Sequence, residues 1–239
     1  MTPSLADYFA ASEATWPTAR IWEQDGFKLR DGQGGGQRVS AATALGTVTD
    51  AQITAAENAM QAIGQRPLFC ERGDTPQLDQ ALAARGYVVK DPITLYALPI
   101  EDLTNVIIPP VTAFCIWEPL AIMKEIWATD GIGQARRDVM ARAACKTGVL
   151  ARWNEKPGGA AFAAVHAGIC MVHGLVVLPH QRRQGVAEWM MRRAAYWGQA
   201  QGATHMSVIC LEDNVAGNTL YRALGFEAVG RYHYRILPD

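Results

Sequence analysis

The residues Arg182-Arg183-Gln184-Gly185-Val186-Ala187 bring two guanidinium groups, a glycine and a small side chain together in one turn. Ahead of them the apolar run "LVVLP" stops at Pro179; behind them an amphipathic stretch begins at Val186. One reading is a solvated connection. The other is an anion site, because the first amides of a helix lack internal partners and its dipole adds partial positive charge there. Gly185 would let a phosphate approach the backbone closely, Ala187 would leave the helix start open, and the arginines would neutralise charge at the rim. The position of the turn, between an apolar strand and an amphipathic helix, favours the phosphate reading.

Such a turn works only if a sheet and a helix hold it. The second half of the chain supplies both. "VTAFCIW", "TGVLARWN", "GGAAFAAVHAG" and "ICMVHGLVVLP" read as strands, and two helices fall between the first two of them, in "PLAIMKEIWATDG" and "GQARRDVMARAA". A helix follows over about 186–201, with Val186, Met190, Ala194 and Trp197 on one face. Then come the strand "HMSVICLE", a helix over about 214–224, and the strands "FEAVG" and "YHYRIL". This alternation predicts an α/β fold, a mixed central sheet with flanking helices.

The first half is less regular. "ARIWEQDGFKLRDGQGGGQRVSAATALG" predicts two strands, one holding Ile21, Trp22, Phe27 and Leu29 and one beginning at Val39, with glycines 34–36 as a hairpin turn. Thr49 and Gln52 form a capping-box pattern ahead of a helix stopped by Gly64. "PLFCE" is a short strand and "TPQLDQALAARG" a helix ended by Gly86; "YVVKDPITLYALPI" is extended, with a break at Pro92. "DQALAARGYVV" and "NTLYRALGFEAV" share a pattern of short helix, glycine, aromatic residue and strand, which suggests two related halves joined near Pro109-Pro110. Leu82 stands four residues before Gly86 where Tyr221 stands four before Gly225, so polar equipment is kept only in the second half.

A formal net charge of −1 gives no general attraction for nucleic acid or anionic membrane. Five dispersed cysteines without a Cys-x-x-Cys pair read as free thiols in a reducing compartment. No apolar run approaches a membrane span, and the N-terminal stretch does not read as a secretory signal. The expectation is a soluble cytoplasmic protein, a monomer or homodimer, without nucleic-acid or membrane partners.

"LVVLPHQRRQGVAEWM" resembles motif A of the GNAT superfamily, the Gcn5-related N-acetyltransferases, and "NVAGNTLYRALGF" resembles a later motif of the same family; the clear resemblance covers about 148–229. It implies a GNAT-like acyl-CoA N-acyltransferase domain over 105–239 and a degenerate GNAT-like unit over 1–104. It implies acetyl-CoA as cosubstrate, with the pyrophosphate held at Arg182, Arg183, Gln184, Gly185, Val186 and Ala187. The pantetheine arm would pair with the backbone of Val176 and Val177, and the amide near Leu175 would polarise the thioester carbonyl. Asn214 is an N-cap, a pantetheine contact or both, and Asn218 lies one turn on. Gly217 departs from the alanine common there.

By the same resemblance Tyr221 would protonate the departing thiolate, since a phenol remains protonated near neutrality; the alternative is a core tyrosine. The base is open between His173, Glu212 and a water chain, and His173 alone reads also as a buried structural histidine. His166 and His173 lack a third ligand at suitable spacing, so no metal is expected. The implied reaction is acetyl transfer from acetyl-CoA to a primary amine of a small molecule or peptide, by direct attack in a ternary complex. The alternatives are a non-catalytic acyl-CoA sensor and an aminoacyl-tRNA-dependent transferase, which would need a basic tract.

Overall fold

A computed structural model describes residues 2–238. Helix α1 (Leu5–Thr15) opens on a capping box in which Ser4 and Asp7 satisfy each other's amides. The hairpin β1 (Arg20–Gln24) and β2 (Phe27–Asp31) turns at Asp25-Gly26, both with positive φ, and β3 (Thr43–Ala44) adds to β2. Helix α2 (Asp50–Ala62), strand β4 (Leu68–Glu71), helix α3 (Pro76–Ala84) and strand β5 (Val88–Pro99) complete the first half. The second contains β6 (Ala113–Ile116), α4 (Ala121–Ala128), α5 (Gln134–Arg142), β7 (Cys145–Trp153), β8 (Lys156–His166), β9 (Ile169–Val177), α6 (Val186–Ala200), β10 (His205–Leu211), α7 (Val215–Ala223) and β11 (Glu227–Ile236). No helix among the described residues is long and apolar enough to cross a membrane.

Eight strands form one sheet, ordered β4-β11-β5-β10-β9-β8-β7-β6, and β1-β2-β3 form a separate small sheet. Among the described strands of the eight-stranded sheet, β9 and β10 run parallel and the other neighbouring pairs antiparallel. The β8 sequence "GGAAFAAV" explains how both faces are covered. Ala161 and Ala163 face a core built with Val186, Met190, Met191, Ala194 and Ala195 of α6. Ala160, Phe162 and Ala164 face the opposite core, with Met123, Ile126 and Trp127 of α4 and Val139 and Met140 of α5. Small side chains let the layers come close: a Cβ on Gly159 would lie 2.9 Å from Met190 Sδ of α6.

Several local expectations need correction. Residues 21–29 are two strands, because Asp25-Gly26 is itself the hairpin turn. Val39 sits in a short 3₁₀ turn, and glycines 34–36 form a loop packed against α5: a Cβ on Gly35 would meet Val139 at 2.5 Å. Strand β5 runs through Pro92, with Asp91 at φ 49° absorbing the irregularity. "FEAVG" and "YHYRIL" are one strand, β11, whose register shifts near Gly230.

The sheet order has an internal symmetry. Exchanging β4 with β10 and β5 with β11 maps β4-β11-β5-β10 onto itself reversed. The matching helices also end alike. Gly86 and Gly225 have φ 87° and 90°, and Tyr87 and Phe226 each donate their amide at 3.0 Å to the carbonyl of Leu82 or Tyr221. Each half therefore places its last strand between two strands of the other.

Candidate active site

The site begins with a bulge. Against β8, Phe162 pairs with His173 and Ala160 with Val176, so β9 carries an extra residue at Gly174-Leu175. Gly174 has φ 55°, and Trp127 Nε1 donates to its carbonyl at 2.9 Å. One inserted residue reverses the facing of everything beyond it. Cys170 and Val172 face the α6 core, but after the bulge Leu175 and Val177 face that core and Val176 the other.

The bulge accompanies a fork. Pairing of β9 with β10 stops at Val172–Val208, and the rest of each strand has no partner in the other. Between two strands of one sheet, unpaired amides and carbonyls are an opening that an extended ligand can complete.

Beyond β9, Pro179 begins a short 3₁₀ turn, and Arg183 (φ 61°) and Gly185 (φ 80°) turn the chain through the left-handed region into α6. Gly185 is the N-cap and offers no side-chain cap. Among the described residues, the amides of Arg183, Gln184, Gly185, Val186, Ala187 and Glu188 donate to no protein acceptor; the first bond of the helix is Trp189 N–H to Gly185 at 3.1 Å. The side chain of Gln184 is occupied: its Oε1 accepts from Trp153 Nε1 (2.8 Å) and Asn154 Nδ2 (3.1 Å). It pins the turn and leaves its backbone free. Arg182 Nε donates to the Val177 carbonyl at 3.1 Å, tying the turn to the open strand.

Tyr221 of α7 packs against Tyr96 and Phe226 with ring centroids 6.0 and 5.7 Å away. Its hydroxyl makes no hydrogen bond to the described residues, yet it is not sealed from solvent. Burial, then nearby Cys210, pushes its pKa above the usual phenol range. The Cys210 thiol is itself pushed up to about 11, by burial and then Asp213, so it is no thiolate nucleophile near neutrality.

Asn214 caps α7, its Oδ1 accepting from Gly217 N–H at 2.9 Å. Gly217 is needed there, since a Cβ would lie 2.9 Å from Asn214 Nδ2. Asn218 departs from the expectation that it faces a cofactor. It is buried; its Nδ2 donates to the carbonyls of Leu211 (2.9 Å) and Asn214 (2.8 Å), and its Oδ1 accepts from Tyr96 (2.8 Å). It knots the end of β10 to α7 and β5.

His173 does not have the setting of a base. Arg38 Nη1 lies 3.0 Å from Nδ1, and a guanidinium only donates, so Nδ1 accepts and the proton sits on Nε2. Nε2 reaches Thr15 Oγ1 at 2.9 Å, whose hydroxyl donates to Ala11. Burial, then the charge of Arg38, holds the imidazole well below its usual pKa. Both nitrogens are engaged, and the ring's contribution is to fix Arg38. Glu212 is exposed and stands 3.5 Å from Arg231.

A cavity of about 300 Å³ lies on the sheet face that carries α1, α4 and α5, opposite α6 and α7, and it reaches the fork at Gly174 and Cys210. Trp16, Arg38, Asp91, Asp130, Arg136 and Tyr232 are among its lining. Sequence reasoning identified none of these. Gly174 within a β-branched strand was the one legible signal, as the mark of a bulge.

Comparison with known proteins agrees with this geometry. The acetyltransferase (GNAT) family model matches residues 117–226. An aminoglycoside N(6')-acetyltransferase type 1 of Acinetobacter haemolyticus is 33% identical over 63 residues, which are 26% of this chain and 43% of that protein; the match thus spans less than half of the relative. A GCN5-related N-acetyltransferase from Kribbella flavida superposes with a TM-score of 0.74 at 20% identity, over 100% of this chain and 97% of that one. A functionally unknown conserved protein from Staphylococcus epidermidis superposes at 0.69 and 13% identity, over 95% and 97% of the two chains. The bulged and forked sheet, the basic turn opening α6 and the family match lead to one conclusion: residues 117–226 match the acetyltransferase (GNAT) family, and the chain as a whole shares the fold of a GCN5-related N-acetyltransferase.

Proposed function

We propose that the protein is an N-acyltransferase that moves an acetyl group from acetyl-CoA to a primary amine of a small molecule. The observation that carries this is the run of unpartnered amides from Arg183 to Glu188 beside the open edge of β9. A diphosphate satisfies those amides and meets the helix dipole together with Arg182 and Arg183. The pantetheine arm then runs along Val176 and Val177 and brings the thioester to the fork near Leu175. The acceptor enters from the opposite face, through the cavity.

At the fork the amine nitrogen attacks the thioester carbon, the C–N bond forms and the C–S bond breaks. The sulfur leaves with a proton from Tyr221, and the proton shed by nitrogen replaces it through solvent. A phenol with a raised pKa does not release its proton in advance, so this transfer accompanies C–S cleavage. Attack is direct, because Cys210, the thiol at the fork, is held protonated. The free amine is generated by solvent, since His173 is occupied.

The same reading extends to domain organisation. Residues 1–104 are a GNAT-like unit that has lost its coenzyme turn, and 105–239 are the acting unit; each lends its last strand to the other.

Thermal-shift measurements with acetyl-CoA and a thiol-release assay over an amine panel test the proposal. Stabilisation by the coenzyme and thiol release dependent on an amine are expected. A folded protein that no acyl-CoA stabilises would refute it.

A further inference from the structure

Three arginines outside the cavity lining are paired with carboxylates: Arg30 and Arg72 meet Glu13 at 2.8 and 2.7 Å, and Arg235 meets Asp79 at 2.7 Å. Arg38 and Arg136 both line the cavity, and among the described residues neither makes an ion pair. Arg38 spends one nitrogen on His173 and also lies over the Trp16 ring, 5.2 Å from its centroid. Its other nitrogens are not sealed away and have no protein acceptor. Arg136 lies across the neighbouring loop, its guanidinium 3.6–3.7 Å from where a Cβ on Gly36 would stand. Burial lowers the pKa of Arg38, Tyr232 and Tyr234 oppose that, and Arg136 is close enough to lower it slightly further. Two guanidinium groups that face one cavity, neither paired with a carboxylate, suit an anion bound between them.

The same cavity holds Asp91 and Asp130, neither paired with those arginines; Asp91 meets Lys90 at 3.5 Å, and Asp130 has no ion pair among the described residues. The lining thus offers separated sites for an acid and for an ammonium. Its volume of about 300 Å³ suits a small molecule.

We propose that this cavity selects an amino-acid-type acceptor, a small molecule bearing a free amine and a carboxylate, and that Arg38 and Arg136 recognise the carboxylate. This deepens the acyltransferase reading and rests on it. Arg38 is the rigid member, held by His173 and Trp16, and gives a planar, two-pronged match to a carboxylate. A polycationic acceptor such as an aminoglycoside meets two guanidinium groups here and is disfavoured.

The test measures acetyl-CoA thiol release with the common amino acids, their matching carboxamides and an aminoglycoside, beside acetyl-CoA binding by thermal shift. At least one amino acid should be used about ten-fold or more better than its carboxamide in kcat/KM, worth about 1.4 kcal/mol. Arg38→Gln and Arg136→Gln should each erase most of that preference through KM, with acetyl-CoA affinity unchanged. Arg136 is exposed, so R136Q carries the test should R38Q fold poorly. Equal or better use of carboxamides or the aminoglycoside, or arginine variants that keep the preference, would overturn the inference. Coenzyme binding with no amino acid turned over would overturn it alone; absence of coenzyme binding would overturn the acyltransferase reading as well.

Discussion

Tyr221 and His173 show how one property, burial, leads to opposite assignments. Burial raises the pKa of a phenol and lowers that of an imidazole, in each case favouring the neutral form. For Tyr221 this preserves the proton that the proposed mechanism has it donate, and among the described residues the hydroxyl has no competing partner. Tyr221→Phe should lower kcat by about 10²–10³-fold while acetyl-CoA affinity stays within two-fold or so; equal losses in both would reduce Tyr221 to a packing residue. His173 predicts a pH dependence of stability. Its unfolded pKa is about 6.5 and its folded value lies well below. Between those values the unfolded chain binds a proton that the folded one does not. Stability therefore falls as pH drops below about 6.5, by up to about 1.4 kcal/mol per pH unit from this group. Glutamine can accept from Arg38 and donate to Thr15 without titrating. Melting temperatures from pH 7.5 to 5.5 should fall less steeply for His173→Gln than for the wild type, and parallel curves would remove His173 from the account.

The element that matters most is the turn into α6. Its backbone passes through positive φ at Arg183 and Gly185, and this shape holds the amides outward. The shape was partly legible, since Gly185 and the basic residues stood between an apolar run and an amphipathic one. What was not legible is that Gln184 anchors the turn through Trp153 and Asn154, the turn between β7 and β8 being distant in sequence. Gly185→Val isolates the conformational requirement. A Cβ there would meet only Trp189, at an ordinary 3.6 Å, so the cost arises from φ 80°, about 1–2 kcal/mol for an L-residue. The variant should weaken coenzyme binding ten-fold or more by calorimetry while leaving the far-UV spectrum unchanged; undiminished affinity would place the diphosphate elsewhere. The bulge at Gly174 was not identified, because its register depends on the partner strand.

At the scale of the molecule, the exchange of β5 and β11 makes the halves interdependent. Strand β5 lies between β10 and β11, so residues 105–239 alone would leave β10 and β11 without their shared partner and expose the side chains that Leu95, Ala97 and Leu98 cover. That fragment should be insoluble or fail to unfold cooperatively, and co-expression with 1–104 should restore solubility. A cooperatively folding fragment 105–239 would show that the exchange is dispensable. The paired patterns "DQALAARGYVV" and "NTLYRALGFEAV" made a relation between the halves readable; the exchange itself was not, because either last strand satisfies its own alternation pattern beside either partner.

The sequence alone determined what local physics governs: the order of strands and helices, the Thr49–Gln52 cap, the glycine stops and a turn chemically suited to a phosphate. Tertiary structure decided what depends on distant partners. It set the fork after Val172, turned His173 from a candidate base into the support of Arg38, enclosed Asn218, and gathered Arg38, Asp91, Asp130 and Arg136 around one cavity. The reason is physical: propensity and capping act over a few residues, whereas burial and charge pairing are fixed only when remote segments meet.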